Sequence, residues 1–258
     1  MSQASRAKCL LALLIVFALF IPLAHAQVVD CPRSGIPVTT DGKWDGREWD
    51  DAVEISLVRW SGYSSGTAFL RAKYDRTYFY AIIDVTSAPT ATEDDGASIT
   101  FDTNNDGGVK PRVDDYTFNI FYGGPPSMAQ GNGKAFVYAA SVPKGVLANA
   151  SIGSSPHSSK SHPMYEFRIP LSLFPKISTI RFAASTWYGW NVNLQDFDVL
   201  LAWPKDFFND APGSWGTMNF PTAIPEFADA MVVIVLTFFA AAVVTRTRSL
   251  KRIFSGTD

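Results

Sequence analysis

Thr67-Ala-Phe-Leu-Arg-Ala-Lys-Tyr74, then Asp75-Arg76, then Thr77-Tyr-Phe-Tyr-Ala-Ile-Ile-Asp84 reads as two strands joined by a two-residue turn. Aromatic and β-branched residues fill both runs, and such residues fit a pleated, half-buried surface. Asp-Arg is a poorer turn than Asp-Gly, so the hairpin rests on its strands more than on its turn. Upstream, Val53-Glu-Ile-Ser-Leu-Val-Arg-Trp60 alternates apolar and polar residues, as a strand with one wet face should. Downstream, residues 97–102, 115–122, 134–141, 164–169, 176–186 and 197–203 read as further strands. Nine short strands with turn-rich connections and almost no helical periodicity predict an all-β domain, an antiparallel β-sandwich of jelly-roll or immunoglobulin-like type. Residues 142–163, rich in Ser, Gly and Ala, read as one long surface loop. Asn149-Ala150-Ser151 on that loop is an N-glycosylation sequon.

The flanks differ from this body. Arg6 and Lys8, an apolar run over residues 9–23 and Ala24-His25-Ala26 have the order of a signal peptide cleaved between Ala26 and Gln27 by signal peptidase. Cys31 lacks the small residues that should precede a lipidated cysteine. Near the other end, the apolar run 230–244 is 15 residues long and is followed by Arg246, Arg248, Lys251 and Arg252. As a helix it covers about 22 Å, short of the roughly 20 residues that cross hydrocarbon comfortably, and snorkelling arginines make up part of the difference. The basic cluster beyond the run predicts a cytoplasmic tail and an external body. The expected organisation is a signal peptide over 1–26, one domain over 27–222, and a C-terminal segment over 223–258 with a transmembrane part at 230–245.

Of the 22 basic residues 16 fall within residues 27–224, against 21 of the 24 acidic ones, so the body carries about −5. No basic stripe is present, which argues against nucleic acid as a partner. Cys31 alone remains after signal removal, and an intermolecular bridge and a free thiol are both open to it. A domain of this size without an internal disulfide relies on its core or on bound ions.

Several segments together resemble carbohydrate-binding module family 9 within the DOMON-like β-sandwiches. They are Asp41-Gly42-Lys43-Trp44 running on to Trp49-Asp50-Asp51-Ala52, Lys73-Tyr74-Asp75 with Tyr78-Phe79-Tyr80, and Asp94-Asp95 before residues 99–102. Tyr165-Glu166-Phe167-Arg168-Ile169-Pro170-Leu171 and Ser214-Trp215-Gly216-Thr217 complete the ordered set. The resemblance implies a β-sandwich that binds sugar without catalysis, although some relatives bind haem or have no known ligand. Pro225-Glu226-Phe227, the apolar run and the basic cluster resemble the PEF-type sorting signal of archaeal surface proteins. That resemblance implies recognition by an archaeosortase-like transpeptidase at the membrane.

Two constellations carry possible chemistry. In Asp102-Thr103-Asn104-Asn105-Asp106-Gly107, alternate positions offer hard oxygen ligands and Gly107 permits a tight turn, as structural Ca²⁺ requires. An EF-hand is excluded because Val113 stands at its twelfth position; Asp114 or Asp115 is then the candidate for the missing carboxylate. A polar turn explains the same residues. The second constellation is Trp187-Tyr188-Gly189-Trp190-Asn191-Val192-Asn193, where aromatic rings can stack on sugar faces and Asn191 and Asn193 can bond hydroxyls. Trp49 and Trp215 lie within the family signatures and read as core. His157 and His162 are the only histidines of the body and read as solvated loop residues. Nothing in the spacing of Glu48, Glu54, Glu93 and Glu166 suggests a catalytic pair. The expectation is a non-enzymatic surface protein that binds a glycan or envelope polymer. The alternatives are a surface-layer interaction protein without sugar binding and, more remotely, a haem carrier using Met128, Met164 or Met218.

Overall fold

A computed structural model describes residues 27–174 and 178–221. Ala26, the motif Pro225-Glu226-Phe227 and the run 230–245 lie outside the described residues, and no helix among the described ones is long and apolar enough to cross a membrane. Among the described residues thirteen strands form: β1 Val28–Asp30, β2 Val53–Arg59, β3 Ala68–Tyr74, β4 Tyr78–Asp84, β5 Gly96–Asp102, β6 Asp115–Phe121 and β7 Ser127–Gly131. After them come β8 Phe136–Tyr138, β9 Leu147–Ser155, β10 Ser158–Pro170, β11 Thr179–Asn191, β12 Asp196–Trp203 and β13 Gly216–Asn219. They run in the order β8-β7-β6-β5-β11-β12-β2-β3-β4-β10-β9, with β13 beside β11 and β1 parallel to β13. Two layers result. β2 leaves the first at a short pairing with β12 (Arg59 with Leu201, Val58 with Ala202) and enters the second along β3. The fold is the all-β sandwich that the alternation predicts.

The layers meet through residues that alternate along each strand. Ala97, Ile99 and Phe101 of β5, Phe118 and Ile120 of β6, and Phe182 and Ala184 of β11 face Leu70 and Ala72 of β3 and Phe79, Ala81 and Ile83 of β4 in one buried cluster. Phe79 bridges the layers, its ring 5.3 Å from that of Phe101 and 5.9 Å from that of Phe182. Met128 and Met218 fill the same core and Met164 a second one, while Cys31 is fully buried, which pushes its thiol up.

The outer face of the second layer is covered by residues 33–52. Trp49, fully buried, packs with Tyr80, Ile82 and Met164. Polar groups of the layer hold the cover's backbone. Lys73, completely buried, donates from Nζ to the carbonyls of Ile36 and Glu48 and to Asp51 Oδ1. Arg71 Nη1 donates to the Trp49 carbonyl. Glu166 Oε2 accepts the amides of Asp41 and Gly42, both at 2.8 Å. Of the family-like segments, 41–52 forms part of the cover, and Lys73 and Glu166 from two others fasten it.

Four strands escape the sequence reading: β1, β7, β9 and β13. The largest correction is at residues 142–163, expected as a loop but folded for the most part as β9 and the first half of β10. Small Ala, Ser and Gly side chains suit β9 because the cover lies on it. A Cβ on Gly42 would stand 2.9 Å from the Ala150 backbone. The sequon Asn149 is consequently a strand residue opposite Glu166, its amide donating to the Thr40 carbonyl at 2.5 Å. The turn after Tyr74 also shifts by one residue, with Asp75 capping Thr77 and Tyr78 through Oδ1.

The histidines are likewise not solvated. His162 is buried, its Nδ1 donating to the Lys160 carbonyl at 2.6 Å and its Nε2 in ion-pair contact with Asp84 Oδ1, without the alignment of a hydrogen bond. His157 lies between Asp84 Oδ2 at 2.8 Å and Glu54 Oε2 at 3.0 Å, stacked on Phe69 with ring centroids 3.9 Å apart.

Candidate functional site

The residues of β5, β6 and β11 that do not point into the core form the floor of a cleft. Register brings them into rows across the strands. Phe121, Gly96 and Trp187 make one row, Asn119, Ser98 and Ser185 the next, and Thr117, Thr100 and Ala183 the third. The first row is aromatic at both sides of a glycine, and the other two are hydroxyls and an amide except at Ala183. Gly96 is required there: a Cβ would lie 2.7 Å from both the Trp187 ring and the Ile120 carbonyl. Trp187 is fixed further by its indole N–H, which donates to the Asp94 carbonyl at 3.0 Å.

The walls come from the flanks. Phe136 and Tyr138 of β8 stand on one side, with Trp60 and Tyr63 after β2, Phe197 and Leu200 of β12, and Asn209 and Asp210 on the other. The enclosed volume is about 520 Å³. Asp210 is the one charged side chain of the lining. On the floor, Ser98 and Thr117 hydroxyls lie 3.0 Å apart, and Thr100 donates to Thr117 at 3.3 Å. Asn119, 8% exposed, has an amide nitrogen with no partner. Aromatic walls over a floor of neutral hydrogen-bonding groups suit a polar molecule with apolar C–H faces.

Of the residues expected from sequence to bind sugar, Trp187 lines this cleft. Tyr188 turns the other way, packing against the main core with its hydroxyl 2.8 Å from Ser87 Oγ. Trp190 stands at the cleft's end, 5.0 Å from the Phe197 ring. Asn191 closes the β11–β12 turn: its Oδ1 accepts the amides of Asn193 and Leu194 and its Nδ2 donates to Asp198. Asn193 is an exposed residue of the same turn. Asn119, Ser98, Ser185, Trp60 and Phe197 did not stand out in the sequence. For Asn119, Ser98 and Ser185 the only signal was that the polar positions of three strands were Ser, Thr and Asn rather than charged.

The acidic turn lies apart from the cleft. Carboxylate oxygens of Asp102, Asp106 and Asp114 fall within 4.8 Å of one another. Asn104 binds inside the turn, accepting the Asp106 amide at 2.8 Å, and Asp102 Oδ2 accepts the Gly107 amide at 2.7 Å. Asp115 is buried, with Oδ2 accepting the Arg112 amide at 2.6 Å and Oδ1 unbonded. Burial pushes its carboxyl up to about 7, helped by Asp102, Asp114 and Asp106, and burial raises Asp102 too. Asp114 Oδ2 is also buried and unbonded. Arg112 pairs with Asp106 at 2.5 Å, while Arg181 comes within 3.8 Å of Asp102. Asp102, Asp106 and Asp114 are hard oxygen donors of the kind Ca²⁺ takes, with Asp114 Oδ2 unbonded while Asp102 accepts two backbone amides and Asp106 pairs with Arg112.

No family model and no curated protein matches the chain. Solved structures do. A family 9 carbohydrate-binding module from Caldicellulosiruptor kristjanssonii, solved with cellotriose, superposes with a TM-score of 0.58 at 16% identity, covering 75% of this chain and 93% of the module. The same organism's module with glucose gives 0.59 at 15% identity, over 77% and 98%. A Bacteroides uniformis protein described as carbohydrate-binding gives 0.51 at 15% identity, over 76% and 99%. The chain thus has the fold of family 9 carbohydrate-binding modules.

Proposed function

We propose that this protein is a non-catalytic glycan-binding module, exported and held at the outer face of a membrane, that takes a neutral sugar into the cleft over β5, β6 and β11. One observation carries the reading: an aromatic-walled cleft of about 520 Å³ whose floor presents the hydroxyls of Ser98 and Ser185 and the amide of Asn119. Trp187, Trp60 and Phe197 supply faces for the apolar side of a pyranose, and Ser98 and Ser185 flank the amide as further partners. The fold supports it, since modules of that fold were solved with glucose and cellotriose. Titration calorimetry with glucose and cellotriose, then a wider glycan and envelope-polymer array, is the test. Asn119→Ala and Trp187→Ala should each weaken binding about tenfold or more, with little change in melting temperature. If the native protein binds no sugar on the array, the reading fails and an interaction role takes its place.

Calcium is part of the same proposal, as a structural ion on Asp102, Asp106 and Asp114 with Asn104 and Asp115 beside them. Millimolar Ca²⁺ should raise the melting temperature and chelator lower it; identical midpoints would remove the ion. For export and sorting, the Ala24-His25-Ala26 triplet after one apolar run and the Pro225-Glu226-Phe227 segment before another are the support. The mass of the protein recovered from its native membrane is the check. A chain beginning at Gln27 and lacking the residues after the motif is expected if a signal peptidase and an archaeosortase-like transpeptidase act on it.

A further inference from the structure

The cleft opens on the outer face of the first layer; a second groove lies at one end of the sandwich. There the β3–β4 turn meets the end of β10, where Pro170 pairs with Tyr78 and the Leu171 amide donates to the Thr77 carbonyl at 2.8 Å. Arg76, Tyr78, Lys144, Leu171, Ser172 and Phe174 line a volume of about 620 Å³, and its lining holds no carboxylate. Arg168 stands at the edge, its guanidinium 4.6 Å from the centroid of the Tyr78 ring and its Nε donating to the Gly145 carbonyl at 3.4 Å. Among the described residues, Arg76, Lys144 and Arg168 form no ion pair. Asp75, beside Arg76, is occupied: Oδ1 accepts the Thr77 and Tyr78 amides and Oδ2 the Tyr80 hydroxyl. Three cations thus gather at one groove on a body that carries about −5.

The groove adjoins the place where the chain leaves the domain. The Phe174 ring is 6.4 Å from that of Phe220, and the Tyr74 hydroxyl donates to the Pro221 carbonyl at 2.7 Å. The apolar run begins at residue 230, and the eight residues before it, 222–229, span at most about 28 Å. So short a tether keeps the groove at high effective concentration over a membrane, where weak single contacts add up. The Trp187 end of the cleft lies far from it. Asn219 pairs with Thr179 at the start of β11, and Trp187 is eight residues further along, about 26 Å at the rise of a strand. The acidic turn beside the start of β11 adds little free negative charge, since Asp106 pairs with Arg112 and Asp102 and Asp115 are buried. From the basic groove and its place beside the exit we infer that this end of the domain docks on anionic lipid headgroups and holds the Trp187 end of the cleft away from the membrane. The inference rests on the membrane-held reading and is independent of what the cleft binds. Tyr78, an apolar ring with a hydroxyl, is the kind of side chain that settles at such an interface.

The test takes the full chain reconstituted in vesicles of phosphatidylcholine, alone or mixed with phosphatidylglycerol. It reads the rate at which an amine-reactive reagent modifies individual lysines. Lys160 is the internal control, exposed and ten residues from Pro170 along β10. Lys144 should react about fivefold more slowly on the phosphatidylglycerol vesicles, the factor that one cation gains at an anionic surface, while Lys160 keeps its rate. High salt and Arg76→Glu should each restore most of the Lys144 rate. Arg76 is exposed in a turn, and the melting temperature of Arg76→Glu should match the native value. Equal Lys144 rates on the two vesicles, or equal slowing of Lys160, overturns the docking and leaves the anchor standing. A chain that floats with neither vesicle overturns the membrane-held reading and the docking with it. Protection of Lys144 by a soluble polyuronate but not by the vesicles assigns the groove to an acidic polymer and overturns the lipid.

Discussion

At the scale of single residues, Glu166 shows how an unremarkable position on a strand acquires a role. Its neighbours Tyr165 and Phe167 point into the core, so Glu166 should meet solvent. The cover segment removes that solvent, and burial pushes the carboxyl up to about 8, with Glu48 and Asp41 adding to the rise and the Gly42 and Asp41 amides opposing it. In the unfolded chain a glutamate titrates near 4.3. Below that both states hold the proton and nothing is lost; between it and about 8 the unfolded chain releases a proton that the fold retains. Stability therefore falls as pH rises through this window. Glu166→Gln keeps an acceptor for the two amides and carries no charge. It should match the native protein near pH 4 and exceed it by several kcal/mol at pH 8. Parallel denaturation curves for the two proteins across that range would rule this out.

At the scale of elements, the β9–β10 hairpin matters most, because its ordering separates the folded chain from the expected loop. Asp84 at the end of β4, fully buried, receives His157, His162 and the Ser155 hydroxyl, at 2.6 Å for the last. Both histidines come from the hairpin, so the carboxylate fastens it to the layer. Removing a buried side chain that partners a buried polar group costs about 1–3 kcal/mol. His162→Ala is expected at that level by urea denaturation, with His157→Ala lower because His157 shares Asp84 and sits nearer the surface. A His162→Ala loss under about 1 kcal/mol would mean that the hairpin is held by its backbone pairing alone.

At the scale of the whole molecule, the two layers are joined by packing, since β2 is the strand that passes from one to the other. Phe101 touches Phe79 on the facing layer and Phe118, Phe174 and Phe182 around it. Phe101→Ala should destabilise by about 3–5 kcal/mol and lower sugar affinity, because β5 carries the cleft floor on its other side. Unchanged melting would show that the layers do not share one core.

Alternation along β2 was legible in the sequence, and the strands β3 to β6 and β11 were legible as short apolar and aromatic runs between turns, and with them the all-β class. The core roles of Trp49 and Trp215 were legible for a similar reason, both lying inside family-like segments. The acidic turn was legible as a turn, since Asp, Asn and Gly mark one whatever else they hold. The cleft was not. Asn119, Ser98 and Ser185 are far apart in the chain and become neighbours only through the registers of β6 with β5 and β5 with β11. No local pattern encodes those registers. Tyr188 and Asn191 looked like site residues by composition alone; strand parity sent one inward, and the turn used the other. His157 and His162 could not be read as buried because their partner, Asp84, is more than seventy residues earlier. Local periodicity thus determined what the strands are, and tertiary pairing decided which polar residues face one another in the cleft, since hydrogen-bond register and burial are properties of strands brought together.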